Sequence, residues 1–176
     1  MFTLVIGGAA SGKSEYAEGL VLASPCWPRC YIATMEPFDG ESRARVEKHR
    51  RMRADKQFET IECYTGLSAL RLPQRGVILL ECMGNLAANE LYSPGGAGST
   101  ADAFAAIMDG VEALLSQCAG LVVVSSEVFT GGSRYAAGTE DYLRLLALVN
   151  RALARRADRV CEVVCGLPQY VKGAAE

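Results

Sequence analysis

Eight residues near the start of the chain, Gly7-Gly8-Ala9-Ala10-Ser11-Gly12-Lys13-Ser14, spell GxxxxGK[ST] in full. The chemistry of such a run is anion capture. Small residues let the backbone wrap closely around a phosphate chain and turn its N–H groups inward. A helix starting there adds the positive end of its dipole. Lys13 supplies an ammonium for β- and γ-phosphate oxygens, and Ser14 a hydroxyl for Mg²⁺. The run follows the apolar stretch FTLVI and precedes a helical pattern from Lys13 to about Ala23, the strand–loop–helix context that the motif requires. A nucleoside triphosphate site is therefore predicted.

The chain has one histidine, His49, in the segment ARVEKHRRMR (44–53), beside Arg50, Arg51 and Arg53. Two readings stand side by side. One is a ring on a solvated basic helix face. The other is a nucleophile: a neutral imidazole attacks an α-phosphate, expels pyrophosphate and leaves a covalent nucleotidyl group. Neighbouring arginines favour the neutral ring and can stabilise phosphate charge in the transition state. Arg45 and His49, four apart, share one face of a predicted helix.

Acids complete the chemical inventory. Glu81 ends the apolar run VILLE, where a carboxylate can organise a magnesium shell with Ser14. Glu127 ends a later run in the same manner, with a weaker case, and Asp158 reads as structural. The seven cysteines contain no CxxC pair and read as free thiols.

These residues need a scaffold, and its pattern is legible. Strands are predicted at 2–6, 30–34, 58–62, 76–81, 120–127 and 159–166, with helices near 13–23, 41–56, 84–92, 101–118 and 139–157. Strands apolar on both faces, alternating with helices, predict an α/β fold: a mainly parallel sheet with helices on both faces. Right-handed crossovers bring the polar strand ends to one edge, where open α/β sheets bind ligands. Gly7–Ser14, Thr34, Glu62, Glu81 and Glu127 are expected to converge there. With 176 residues, and half of them apolar, the chain is expected to form one nucleotide-binding domain over 1–176. SPGGAGST (93–100) reads as its most flexible surface loop.

Composition narrows the function. A net charge of −2 offers no global attraction to nucleic acid or to an anionic membrane. The apolar runs are too short to span a bilayer, and no signal peptide is visible, which leads to a cytoplasmic expectation. No Asn-Lys-x-Asp or Asp-x-x-Gly element is present, so a regulatory GTPase is disfavoured. A small-molecule kinase fits better, since phosphoryl transfer needs mainly positioning and charge neutralisation. A nucleotide-binding regulatory module is the alternative from outside enzymology.

GGAASGKSEYAE (7–18), YIAT (31–34), RVEKHRRMR (45–53), FETIE (58–62), ILLECMGNLAANEL (78–91), VVVSSEV (122–128), LVNRALARRADRV (148–160) and EVVCGLPQYVKG (162–173) occur in order along nearly the whole chain. Together they resemble the bifunctional adenosylcobinamide kinase/adenosylcobinamide-phosphate guanylyltransferase family of cobalamin biosynthesis. The ordered combination with YIAT, Arg-x-x-x-His and a Gly-x-Pro ending is far more specific than the phosphate loop.

The resemblance implies a RecA-like P-loop NTPase fold, a homotrimer and two reactions. A nucleoside triphosphate, ATP or GTP, phosphorylates the aminopropanol hydroxyl of adenosylcobinamide. GMP from GTP then passes through a covalent histidine, His49 by motif alignment, to give adenosylcobinamide-GDP and pyrophosphate. Nucleotide contacts are implied for Gly7, Gly8, Ala9, Ala10, Ser11, Gly12, Lys13, Ser14, Ala33, Thr34, Met35, Arg50, Arg51, Met52, Arg53, Glu62 and Glu81. Lys13 and His49 are the expected catalytic residues, and Ser14 and Glu81 the expected Mg²⁺ partners. Two departures from the family pattern lie outside the loop and the histidine. Ser126-Glu127-Val128-Phe129 stands where the family has Asn-Glu-Val-Gly, and EDYLRLLALVN (140–150) lacks the usual Arg-Asp pair. Both fall on the side expected to meet the corrinoid.

Overall fold

A computed structural model of the protein describes residues 1–37, 40, 43–44, 46–47, 51, 54–128 and 137–173. The strands among them are β1 (Phe2–Gly7), β2 (Arg29–Ala33), β3 (Glu59–Glu62), β4 (Val77–Glu81), β5 (Gly120–Ser126), β6 (Arg159–Val164) and β7 (Leu167–Lys172). The helices are α1 (Lys13–Ala23), α2 (Met83–Tyr92), α3 (Thr100–Gln117) and α4 (Ala137–Arg156). Most of the predicted helix at 41–56 lies outside the described residues. Those of its residues that are described include Arg43, Ala44, Val46, Glu47 and Arg51 in helical conformation, and Ala54–Lys56 as a 3-10 turn.

One seven-stranded sheet runs in the order β3-β2-β4-β5-β1-β6-β7. Pairings from β3 to β6 are parallel, and β7 alone is antiparallel, against β6. The apolar strand sequences are continuous because alternate side chains enter two different cores. Phe2, Leu4, Ile32, Ile78, Leu80, Leu121 and Val123 pack toward α2, α3 and α4. Val5, Tyr31, Leu79, Val122 and Val124 pack on the opposite face, where α1 contributes Ala17 and Val21. Helices thus cover both faces, unevenly.

The register settles what lies along the sheet's carboxyl edge. Ala33 stands opposite both Glu62 and Glu81, and Gly7 stands opposite Ser126. The loops that leave these strands therefore begin side by side.

The last predicted strand, 159–166, is two elements. β6 stops at Val164, Cys165 and Gly166 take positive φ of 50° and 80°, and the chain returns as β7. Two left-handed residues between antiparallel strands form the turn that matches strand twist. The return strand is an exposed edge containing Pro168, with Leu167 68% and Val171 66% exposed. That is why the period-2 burial signal is missing there and why a proline is tolerated.

The glycine-rich segment at 93–100 is a surface loop as expected, anchored at its end to α2. It is exposed in large part, and the Gly98 N–H donates to the Glu90 carbonyl at 2.8 Å and Ala97 N–H to Glu90 Oε2 at 3.2 Å. Gly66 N–H donates to Glu90 Oε1 at 2.8 Å. The buried carboxylate on α2 thereby satisfies two loops at once. Asp158 has the structural place foreseen for it, with Oδ2 accepting Phe2 N–H at 2.7 Å.

Candidate active site

The phosphate loop is shaped by its neighbours. A Cβ on Gly7 would fall 2.6 Å from both Ser11 Oγ and the Val163 carbonyl, so no side chain fits there. Ala10 and Gly12 turn the chain with φ of 55° and 88°, the left-handed conformation that glycine adopts without steric cost. Gly12 then caps α1. The loop is also held from outside: Gly166 N–H, in the β6–β7 turn, donates to the Ser11 carbonyl at 2.8 Å. A Cβ on Gly12 would approach Gly166 Cα to 3.1 Å. The Gly-x-Pro ending noted in the sequence thus supplies a buttress for the loop, a role its position far along the chain conceals.

Lys13 folds back over the loop, its Nζ donating to the Gly8 carbonyl at 3.0 Å. Ser14, one residue on, donates its hydroxyl to Glu81 Oε1 from the end of β4. The other carboxylate oxygen, Oε2, accepts the Tyr31 hydroxyl at 2.9 Å. Sequence reasoning passed over Tyr31, because an apolar strand residue gives no sign that its hydroxyl reaches a carboxylate on the next strand.

Thr34 lies beside this group and is fully buried. Its Oγ1 accepts the Cys82 N–H and donates to the Cys82 carbonyl, both at 2.8 Å. Its N–H donates to the Glu81 carbonyl at 3.1 Å, and its own carbonyl accepts Asn89 Nδ2 at 2.8 Å. Asn89 also reaches the Tyr64 carbonyl at 3.0 Å. The Thr34 side chain therefore fastens the ends of β2 and β4 together. Glu81-Cys82 is a cis peptide bond. Burial pushes the Cys82 thiol up; the Glu81 charge adds to this, while the α2 amides and the Lys13 ammonium oppose it.

The remaining expected residues are more scattered. Glu62, at the end of β3, accepts the Tyr64 hydroxyl at 2.8 Å. Glu127 donates its N–H to the Gly7 carbonyl at 3.0 Å, which sets it at the mouth of the loop. Ala33 and Met35 flank Thr34 on the same strand end and are half-buried. Arg51 does not turn toward the loop; its Nε pairs with Glu47 at 3.1 Å on an exposed surface. His49, Arg50, Met52 and Arg53 lie outside the described residues, as does Phe129 of the 126–129 departure.

The segment carrying His49 is nonetheless tied down where it ends. Lys56 forms an ion pair with Glu18 of α1, whose carboxylate is almost fully buried. Phe58 then meets the Tyr31 ring edge-on, with centroids 6.1 Å apart.

Among the described residues, no three His, Cys, Asp or Glu side chains gather into a metal cage. A serine hydroxyl beside one carboxylate is still a hard-oxygen pair suited to magnesium, which keeps several waters and takes further ligands from phosphates. When bound, magnesium supplies charge neutralisation to phosphate oxygens. The donor set fits the ion. No helix among the described residues is long and apolar enough to cross a membrane.

Comparison with known proteins agrees with this geometry. Residues 3–171 match the family described as cobinamide kinase / cobinamide phosphate guanyltransferase (CobU). The chain is 34% identical over 184 residues to the bifunctional adenosylcobalamin biosynthesis protein CobU of Salmonella typhimurium, covering 98% of this chain and all of the relative. It is 32% identical over 185 residues to the protein of the same name in Escherichia coli, again covering 98% of this chain. Among solved structures, the flagellar accessory protein FlaH of Methanocaldococcus jannaschii superposes with a TM-score of 0.53 at 12% identity, over 97% of this chain and 77% of that one. That likeness concerns the fold alone, which is the RecA-like P-loop NTPase fold. With the match spanning the phosphate loop, the Ser14–Glu81 contact and the Gly166 buttress, the chain belongs to the cobinamide kinase / cobinamide phosphate guanyltransferase family.

Proposed function

We propose that this chain carries out two consecutive reactions in cobalamin biosynthesis. In the first, the alcohol of adenosylcobinamide attacks the γ-phosphorus of ATP or GTP; the bond to the β-phosphate oxygen breaks, and the nucleoside diphosphate leaves. In the second, a ring nitrogen of His49 attacks the α-phosphorus of GTP and pyrophosphate departs. An oxygen of adenosylcobinamide phosphate then displaces the imidazole, giving adenosylcobinamide-GDP and regenerating His49. The observation that carries the reading is the contact of Ser14 with Glu81 beside Lys13, inside a chain of this family.

Residues Gly7 to Ser14 hold the triphosphate in this reading, with Ser14 and Glu81 organising Mg²⁺. Ala33, Thr34, Met35, Arg50, Arg51, Met52, Arg53 and Glu62 complete the nucleotide site. Thr34 supports the site by holding the ends of β2 and β4 together, since its hydroxyl, N–H and carbonyl are all engaged within the fold. Arg51 has to leave Glu47 to take part, a small cost for an exposed pair. The chain's length favours one domain over 1–176, its sequence composition the cytoplasm, and family resemblance a trimer.

Incubation with GTP labelled in the α-phosphate tests the covalent step. Label that is acid-labile and alkali-stable is expected on the wild type and absent from His49→Ala. Undiminished label on His49→Ala refutes the nucleophile. Supplying adenosylcobinamide with excess GTP and resolving the products tests the sequence of reactions: accumulation of the phosphate without the GDP product marks a kinase that lacks the transfer.

A further inference from the structure

The proposed chemistry leaves the hydroxyl of Tyr31, which reaches into the phosphate site, without a task. We propose that Tyr31 is a positioning residue: its phenol holds Glu81 Oε2 so that Oε1 stays aimed at Ser14, the pair that would hold a divalent cation. This rests on the reading above, in which Ser14 and Glu81 organise Mg²⁺.

The sheet register makes the contact. Ala33 of β2 stands opposite Glu81 of β4, and Tyr31 stands opposite Leu79. Tyr31 therefore shares a face with Glu81 but lies two residues behind it, about 6.6 Å along the strand. A tyrosine is long enough to cover that offset with its hydroxyl, and the resulting hydrogen bond is 2.9 Å. Phenylalanine at this position would have the same ring and no reach.

Packing fixes the ring independently of the carboxylate. Tyr31 is 4% exposed and belongs to the core with Ala17, Leu79 and Val124. Phe58 meets it edge-on at 78°. A donor held in this way does not follow Glu81 as Glu81 moves. The glutamate side chain, by contrast, has three rotatable bonds and ends at a half-exposed strand terminus. With one oxygen anchored to a fixed donor and the other facing Ser14, the carboxylate keeps a single orientation. A hydrogen bond to an ionised acceptor is stronger than one between neutral groups, which suits this purpose. Tyr31 lies below the loop and touches Glu81, so it acts through that residue.

The test compares Tyr31→Phe, Glu81→Gln and the double variant. Binding of Mn²⁺, followed by electron paramagnetic resonance, is measured on protein saturated with a non-hydrolysable GTP analogue. Loss of a hydrogen bond to a charged group predicts roughly tenfold weaker Mn²⁺ binding in Tyr31→Phe. Binding of the analogue without metal is expected to stay as in the wild type, and the Mg²⁺ concentration for half-maximal activity to rise in step with the loss of Mn²⁺ affinity. In the Glu81→Gln background, Tyr31→Phe is expected to weaken Mn²⁺ binding far less than it does alone, because the proposed effect passes through the carboxylate. Wild-type Mn²⁺ affinity in Tyr31→Phe, with affinity lost in Glu81→Gln, overturns the role of Tyr31 and leaves the metal reading intact. Wild-type affinity in Glu81→Gln overturns the metal reading itself. Additive losses in the double variant, or equal weakening of metal-free analogue binding, assign the tyrosine to general support of the loop and also overturn the proposal.

Discussion

The ammonium of Lys56 closes on the carboxylate of Glu18, joining the end of the histidine-bearing segment to the helix that starts at the phosphate loop. Glu18 is 6% exposed, and Lys56 meets its carboxylate inside the fold. The pair connects two parts of the site that are 38 residues apart in sequence.

Removing one partner leaves a buried charge uncompensated. Lys56→Ala is expected to destabilise the fold by about 1–3 kcal/mol, below the range for a fully buried pair because Lys56 keeps some solvent contact. Replacing both, as Lys56→Met with Glu18→Leu, is expected to recover most of that loss. Denaturant unfolding measures both. If the pair also seats the segment, guanylyl labelling of Lys56→Ala falls by more than its kinase activity does.

Lys13→Ala removes the cation that lies across the loop. Both reactions require the triphosphate to be held, so kcat/KM is expected to fall by about a hundredfold or more in each. Steady-state assays of phosphorylation and guanylyl transfer give the comparison. Retained guanylyl transfer in this variant counts against a shared nucleotide site.

Burial, with the Glu59 charge adding to it, pushes the Cys30 thiol up to about 12 from an ordinary 9.0. Cys63, Cys82, Cys118 and Cys161 move in the same direction, burial again leading. The folded state keeps Cys30 neutral, whereas the unfolded chain ionises it above pH 9.0. Its contribution to stability is therefore fully present below pH 9.0 and is lost as pH rises toward about 12. Unfolding free energy measured across this interval is expected to fall with pH, and less steeply in Cys30→Ala. Equal slopes exclude the assignment.

Periodicity and the phosphate-loop motif made most of the architecture legible before any coordinates. The apolar runs at 76–81 and 120–127 are strands β4 and β5, because a parallel strand buried on both faces has no polar alternation to hide it. β7 escaped because it is an exposed antiparallel edge whose turn, Cys165-Gly166, lacks the usual asparagine or aspartate before glycine. Glu81 was legible as a strand-end acid next to a phosphate loop. Its second partner, Tyr31, was not, since a hydroxyl's partner depends on the register between two strands 50 residues apart.

The sequence by itself determined the local chemistry of this protein: a loop whose glycines and small residues permit close backbone wrapping, a lysine and serine at fixed offsets, and a lone histidine among arginines. These follow from residue type and spacing within one stretch of chain. Only the tertiary structure decided which distant groups complete each local piece. Gly166 supports Ser11, Tyr31 steadies Glu81, and Lys56 neutralises Glu18, all across large separations. Hydrogen bonds and ion pairs act over a few ångströms, and sheet register with helix packing sets which side chains come that close.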